Sequence, residues 1–199
     1  IQTSLVGSEM CIRDRSGGDP LLKVTVSGKP GSGTSTLVDL LAKDMGWDSV
    51  NGGDIFRQEA RRMNLTVEEF SRLCKENFEV DRSLDDMLKN LISSENGPSI
   101  VESRLSGWWA HSAGIDCLRV WVEVSDRERA NRIMSREGGD FERVHSASLQ
   151  RNSDDMARYK ILYGIDLDDM SPYNVIIEAD DLSPSEVLAI VKGKLREKE

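Results

Sequence analysis

The segment that most restricts this chain is Gly28-Lys29-Pro30-Gly31-Ser32-Gly33-Thr34-Ser35-Thr36. It lies between a β-rich run, residues 21–26, and a helix in which Leu37, Leu40, Leu41 and Met45 recur at helical spacing before Gly46. A strand that enters a glycine-rich turn and leaves as a helix points the turn's N–H groups and the helix N-terminus at an anion. The glycines admit positive φ and let a phosphate approach where a side chain would block it. The consensus phosphate-binding loop is G-x-x-x-x-G-K-[ST], and Ser35 stands where that motif places its Mg²⁺-binding hydroxyl. The lysine position, however, holds Thr34. A unit charge beside a phosphate oxygen in a partly buried site contributes up to about 4 kcal/mol. Another cation must therefore serve, either Lys29 inside the loop or arginines later in the chain.

The rest of the chain alternates strand and helix. Residues 54–63 and 81–91 read as helices, the second with Leu84, Leu88 and Leu91 on one stripe. Thr66 with Glu69, Ser125 with Glu128 and Ser183 with Glu186 read as capping boxes, and Pro184 suits a first helical position. Residues 99–101, 118–124 and 174–177 read as buried strands. This order predicts an α/β three-layer domain with a parallel sheet covered on both faces. A net charge of −9 argues against a general nucleic-acid binder, and no apolar run is long enough to span a bilayer. Cys11, Cys74 and Cys117 lack metal spacing and suit a reducing, cytoplasmic setting without structural disulfides, and two histidines argue against a His-based metal site or triad. Residues 1–19 show no helical or strand period and no signal-peptide core. Residues 1–15 look like translated sequencing-adapter read-through, the alternative being a natural disordered tail. The expected folded domain is 20–199, and a monomer.

Several charged residues cluster around the loop in this reading. Asn51-Gly52-Gly53-Asp54 makes a tight turn with Arg57 one helical turn beyond it. Glu102 and Arg104 end the second strand, at the carboxyl edge of the sheet where open α/β folds bind ligands. Glu102 is a candidate outer-shell Mg²⁺ partner and Arg104 a candidate phosphate fork. Arg129, Arg132 and Arg136 share one helix face, Gly138-Gly139 offers a hinge, and Arg151 and Arg158 lie two turns apart on the next helix. Two hinged helices carrying inward arginines suit a lid over a phosphoryl-transfer site, and salt-bridged solvent faces are the plainer alternative. Trp108, Trp109 and His111 either flank such a site or form a packed aromatic pair beside a surface histidine.

Taken together, GKPGSGTST, NGGDIFR, VESRLSGW, RANRIMSREG and RYKILYGIDLDDMSPYNVII resemble the archaeal-type cytidylate kinases of the nucleoside monophosphate kinase group, over residues 22–182. The resemblance implies a P-loop kinase core, a small helical monophosphate-binding segment and a lid, transferring the γ-phosphoryl group of ATP, with Mg²⁺, to CMP or dCMP. It implies that Gly28, Lys29, Pro30, Gly31, Ser32, Gly33, Thr34, Ser35 and Thr36 hold the ATP phosphates, with Ser35 and Glu102 toward the metal. Arg57 and Arg104, with Asp54, would serve the monophosphate. Lys29, Arg132, Arg136, Arg151 and Arg158 would supply catalytic charge, and Asp155 would meet the nucleoside. Asn152 departs from an acidic position of the family pattern. Asp81 and Asp85 match an acidic pair that either accepts the cytosine amino group or faces solvent. An adenylate- or shikimate-type kinase, or a catalytically silent nucleotide-binding module, are the alternatives.

Overall fold

Five short strands take up most of the β-branched apolar residues of the core, and all of them pair in parallel. The computed structural model describes residues 22–198, so the expected extension over 1–19 lies outside the described residues. The strands β1 (Val24–Gly28), β2 (Ser49–Asn51), β3 (Ile100–Glu102), β4 (Leu118–Glu123) and β5 (Val175–Glu178) run in the order β2-β3-β1-β4-β5. Val24 of β1 aligns with Ile100 on one side and Leu118 on the other. Val24, Val26, Ile100, Val101 and Val120 are wholly buried, as a parallel sheet covered on both faces requires.

On one face, α1 (Thr34–Met45) and α8 (Pro184–Lys198) pack Leu37, Val38, Leu41, Val187 and Val191 against the strands. The second core joins Trp109 and Ala110 of α5 (Ser106–Ser112) to a helical segment formed by α2 (Gly52–Arg62), α3 (Val67–Glu76) and α4 (Phe78–Ser93). Phe70, Cys74, Leu84 and Leu88 fill the interior of that segment. The remaining helices, α6 (Asp126–Glu137) and α7 (Phe141–Tyr163), pack together and are joined through Gly138 and Gly139, both at positive φ. The expected three-layer α/β architecture holds, with a helical insert and a helix pair joined through two glycines. Among the described residues no helix is long and apolar enough to cross a membrane.

The differences from the sequence reading are local and have identifiable causes. The strand β2 was not anticipated, because its three residues, Ser-Val-Asn, carry one apolar side chain. Helix α2 begins at Gly52 instead of 54, since the Asn51 side chain accepts from the Gly53 N–H at 2.7 Å. Helix α4 begins at Phe78 instead of 81 for the same reason, with Asn77 accepting from the Glu79 N–H. The boxes at Thr66/Glu69 and Ser183/Glu186 are reciprocal. At Ser125 only half the box forms, because the Glu128 carboxylate turns to Arg132 at 2.9 Å.

All five strands end toward one edge, and the turns that follow them gather there. The connections after β1 and β3 leave in opposite directions, which opens a crevice at that edge. One close contact tests the packing beneath it. A Cβ on Gly107 of α5 would lie 2.3 Å from the Tyr173 ring, which itself packs against Trp121. Gly107→Ala is expected to destabilise the fold by roughly 1–3 kcal/mol through overpacking. A urea midpoint equal to that of the unmodified protein would contradict this packing.

Candidate active site

The loop between β1 and α1 is held by its carbonyl groups. Arg104 donates to the Gly28 carbonyl at 2.8 Å, Arg129 to the Pro30 carbonyl at 2.9 Å, and Arg132 to the Ser32 carbonyl at 3.2 Å. The Ser32 N–H and hydroxyl both donate to the Lys29 carbonyl, at 3.1 and 2.7 Å, closing the turn. Gly31 and Gly33 sit at φ 89° and 90°, and a Cβ on Gly28 would come within 2.4 Å of the Ser32 hydroxyl. Space therefore excludes a side chain at Gly28, positive φ disfavours one at Gly31 and Gly33, and three of the loop's carbonyls face guanidinium groups.

Arg129 is wholly buried and is the anchor of this arrangement. It also donates to Ser148 of α7 at 2.9 Å and pairs with Asp126. Of the three arginines expected on one inward helix face, Arg129 and Arg132 both reach the loop's carbonyls. Arg132 spans from the loop to the Ala179 and Asp180 carbonyls after β5. Arg136 is exposed and pairs with its neighbour Glu137. Lys29 is bound to Glu123 at 3.0 Å, and Glu123 also accepts from the Trp121 indole.

Thr34, in the lysine position, donates to Glu102 at 3.0 Å, and Asn51 donates to the Ser35 hydroxyl at 3.1 Å. Burial raises the Glu102 carboxyl above its usual range, while the Thr34 hydrogen bond opposes that rise. Among the described residues no three His, Cys, Asp or Glu side chains cluster to hold a metal by themselves. The Ser35 hydroxyl and the Glu102 carboxylate are both hard oxygen donors, a set that fits Mg²⁺ completing its shell with phosphate and water.

Two cavities meet at the loop. The larger, about 1230 Å³, is lined by Gly28, Lys29, Pro30, Gly31, Thr34, Ser35, Arg57, Asp81, Asp85, Glu102, Arg104, Arg136, Arg151, Asp155 and Arg158 among others. The smaller, about 520 Å³, lies between the loop, α6 and the turn after β5, and is lined by Gly31, Ser32, Gly33, Thr36, Arg132 and Arg136 with the 180–184 segment. Gly31 and Arg136 border both. Of the residues singled out in the sequence, Asp54 lines neither and pairs with Arg57 at 2.7 Å, and Arg129 and Asn152 line neither. Trp108, Trp109 and His111 also lie outside the walls. Trp109 is buried and packs edge-on to Tyr163, so the packed-pair reading is the one that applies. Arg72, Phe56, Phe78 and Gln150 line the larger cavity without having been anticipated. No motif signals them, whereas Asp180 and Asp181 follow the last strand at the ligand-binding edge and could have been found on that ground.

The far wall of the larger cavity is built from α4 and α7. Asp81 and Asp85 are buried, so the solvent-face alternative for this pair is overturned. Arg158 donates to Asp155 and to the Tyr159 hydroxyl, both at 3.0 Å, and its Nε lies 3.2 Å from Asp81 Oδ2. That last approach is misaligned, so Asp81 Oδ2 and Arg158 Nε are buried without a hydrogen-bond partner. Tyr163 donates to Asp85 at 2.8 Å. Arg104 is held by Asn152, the residue that departs from the acidic pattern, and by Asp155 at 3.8 Å. Burial pushes the Asp85 carboxyl up to about 6, the Tyr163 hydrogen bond opposing and Asp81 reinforcing the rise. Burial raises Asp81 as well, with Arg158 opposing.

Comparison with known proteins shows the family to which this chain belongs. A model described as the cytidylate kinase-like family matches residues 23–181. The cytidylate kinase of Archaeoglobus fulgidus is 37% identical over 170 residues, covering 85% of this chain and 92% of that protein. The cytidylate kinase of Thermoplasma acidophilum is 31% identical over 176 residues, covering 88% and 93%. Among solved structures, a shikimate kinase from Bacteroides thetaiotaomicron superposes with a TM-score of 0.58 at 14% identity, covering 88% of this chain and 98% of that one. An uncharacterized protein from Eubacterium ventriosum gives 0.67 at 10% identity with the same coverage. These two structural likenesses speak for the fold alone.

The Asp85 environment has a consequence for stability. A carboxyl raised from 3.8 to about 6 on folding binds a proton more readily in the folded than in the unfolded state. Its contribution is therefore fully present below pH 3.8 and is lost as pH rises through about 6, by roughly 3 kcal/mol. Asp85→Asn is expected to gain stability relative to the unmodified protein across that window. Parallel urea curves from pH 4 to 7 with a constant difference would contradict the burial of this carboxylate.

Proposed function

Because the chain belongs to the cytidylate kinase-like family, we propose that it transfers the γ-phosphoryl group of ATP to CMP or dCMP, giving ADP and CDP or dCDP. The observation that carries this reading is the meeting of two cavities at one phosphate loop, bordered by Gly31 and Arg136, with the half-buried Arg104 and Arg158 and the buried Asp81 and Asp85 on the acceptor side. The donor's phosphates would lie on the loop's N–H groups and its base in the smaller cavity. The acceptor would lie in the larger one, its phosphate toward Arg57, Arg104, Arg151 and Arg158.

The CMP phosphate oxygen is already a competent nucleophile at neutral pH, so no general base or covalent intermediate is needed. It attacks the γ-phosphorus while the bond to the β–γ bridging oxygen breaks, and ADP leaves with that oxygen. The protein's task is alignment and charge neutralisation. Ser35 and Glu102 would hold Mg²⁺, which supplies charge neutralisation at the phosphates when bound. In this reading the missing loop lysine is replaced by the guanidinium groups that grip the loop from outside. Lys29, tied to Glu123, contributes a more distant charge. Movement of α6 and α7 about Gly138-Gly139 would bring Arg136 over the transferring group and shut out water.

On the acceptor side, Asp155 would meet the sugar. Asp81 and Asp85 would accept the two N–H groups of the cytosine amino substituent, and Asp81 Oδ2, though ion-paired with Arg158, accepts no hydrogen bond from the protein. We place the protein in the cytoplasm as a monomer. The buried free thiols Cys74 and Cys117, both pushed up to about 11 by burial, support a reducing setting.

The test is ADP release from MgATP with CMP, dCMP, UMP, AMP, GMP and shikimate offered separately. CMP and dCMP are expected to give the highest kcat/KM. A dominant response to AMP or shikimate would overturn the substrate, and silence with every acceptor would overturn the activity.

A further inference from the structure

Tyr163 lies behind the acceptor wall, lining neither cavity, yet its hydroxyl donates to Asp85 Oδ2 at 2.8 Å. Its ring is fixed on several sides. Trp109 meets it edge-on at 5.0 Å, Tyr159 stacks at 6.4 Å, and the Lys89 ammonium lies 4.9 Å above it and 4.3 Å above Trp109. A hydroxyl aimed this firmly sets the orientation of the carboxylate it meets.

We infer that Tyr163 is a specificity-determining positioning residue: it holds Asp85 with its second oxygen presented to the base, so that a 4-amino pyrimidine is accepted and a 4-oxo pyrimidine refused. The inference rests on the acceptor site proposed above. An ionised carboxylate has only acceptor capacity, and the cytosine amino group supplies the N–H that it lacks. A uracil O4 would bring lone pairs against Asp85 and Asp81 together, leaving buried acceptors unpaired. The charged and titratable groups around Asp85 are Asp81, Asp86 and Lys89 of α4 and Asp155, Arg158, Tyr159 and Tyr163 of α7. Burial, then Asp85 itself, raises the Tyr163 hydroxyl above its ordinary range, which keeps it a donor. Without that donor, Asp85 can turn or take a proton, and an O–H at this position can serve O4.

Tyr163→Phe removes the hydroxyl and keeps the ring contacts; a cooperative thermal transition would verify its fold. In steady-state assays with CMP and UMP, the ratio of kcat/KM for CMP over UMP is expected to fall about tenfold or more, the scale of one hydrogen bond to a charged group. The fall should come through KM for CMP more than through kcat. In an Asp85→Asn background the same change should move the ratio less than twofold, because the two residues act as one unit. An unchanged ratio in the single variant, or an equal fall in the Asp85→Asn background, overturns the inference while the CMP reading stands. An unmodified protein that turns over no pyrimidine monophosphate overturns that reading, and the inference with it.

Discussion

The donation of three guanidinium groups to alternate carbonyls of one loop is the interaction on which the rest depends. Gly28, Pro30 and Ser32 give their carbonyl oxygens to Arg104, Arg129 and Arg132. Those arginines come from the turn after β3 and from α6, so the loop's shape is fixed by elements distant in sequence. Charge-assisted hydrogen bonds of this kind are stronger than neutral ones, and Arg129 makes its own inside the protein, where an unpaired charge would be costly. The same contacts bring positive charge to a phosphate cradle that carries Thr34 where the consensus has lysine. Anchoring and electrostatics are thus carried by the same side chains.

A second consequence concerns the helix pair α6–α7. Arg129 ties the start of α6 to the loop and to Ser148 of α7, while Arg136, two turns further along α6, is exposed at the mouth of both cavities. The base of the pair is therefore anchored to the loop while Arg136 near its tip is exposed, an arrangement that suits the proposed lid. The opposite wall makes a different compromise. Burying Asp81 and Asp85 beside each other opposes their ionisation, and Arg158 and Tyr163 offset only part of that cost. A fold optimised for stability alone would place apolar side chains there; a site that must meet a polar base has reason to keep the carboxylates.

Much of this was legible in the sequence. The strand–glycine turn–helix order located the cradle, and the alternation of apolar runs with helical stripes predicted the parallel sheet. Glu102 and Arg104, singled out because strand ends at the carboxyl edge are where such folds bind ligands, line the larger cavity. What escaped has physical reasons. The strand β2 is too short to show a period, and Asn51 and Asn77 started their helices early through side-chain caps that propensity does not reveal. Helical spacing put Arg129, Arg132 and Arg136 on one face, but spacing cannot say which of them a neighbouring loop will cover. The partners of Arg104 and Asp85, Asn152 and Tyr163, lie 48 and 78 residues away along the chain, where no local pattern reaches.

In the proposed mechanism, arginines gripping the loop from outside take over the role of the loop lysine. Restoring the consensus tests it most directly, through kcat with saturating MgATP and CMP for Thr34→Lys beside the unmodified protein. If the arginines already supply the charge, the new lysine meets Glu102, the present partner of Thr34, and turnover stays level or falls. A rise of about tenfold or more, roughly 1.4 kcal/mol of transition-state stabilisation, would show that the loop lacks charge and would contradict the account.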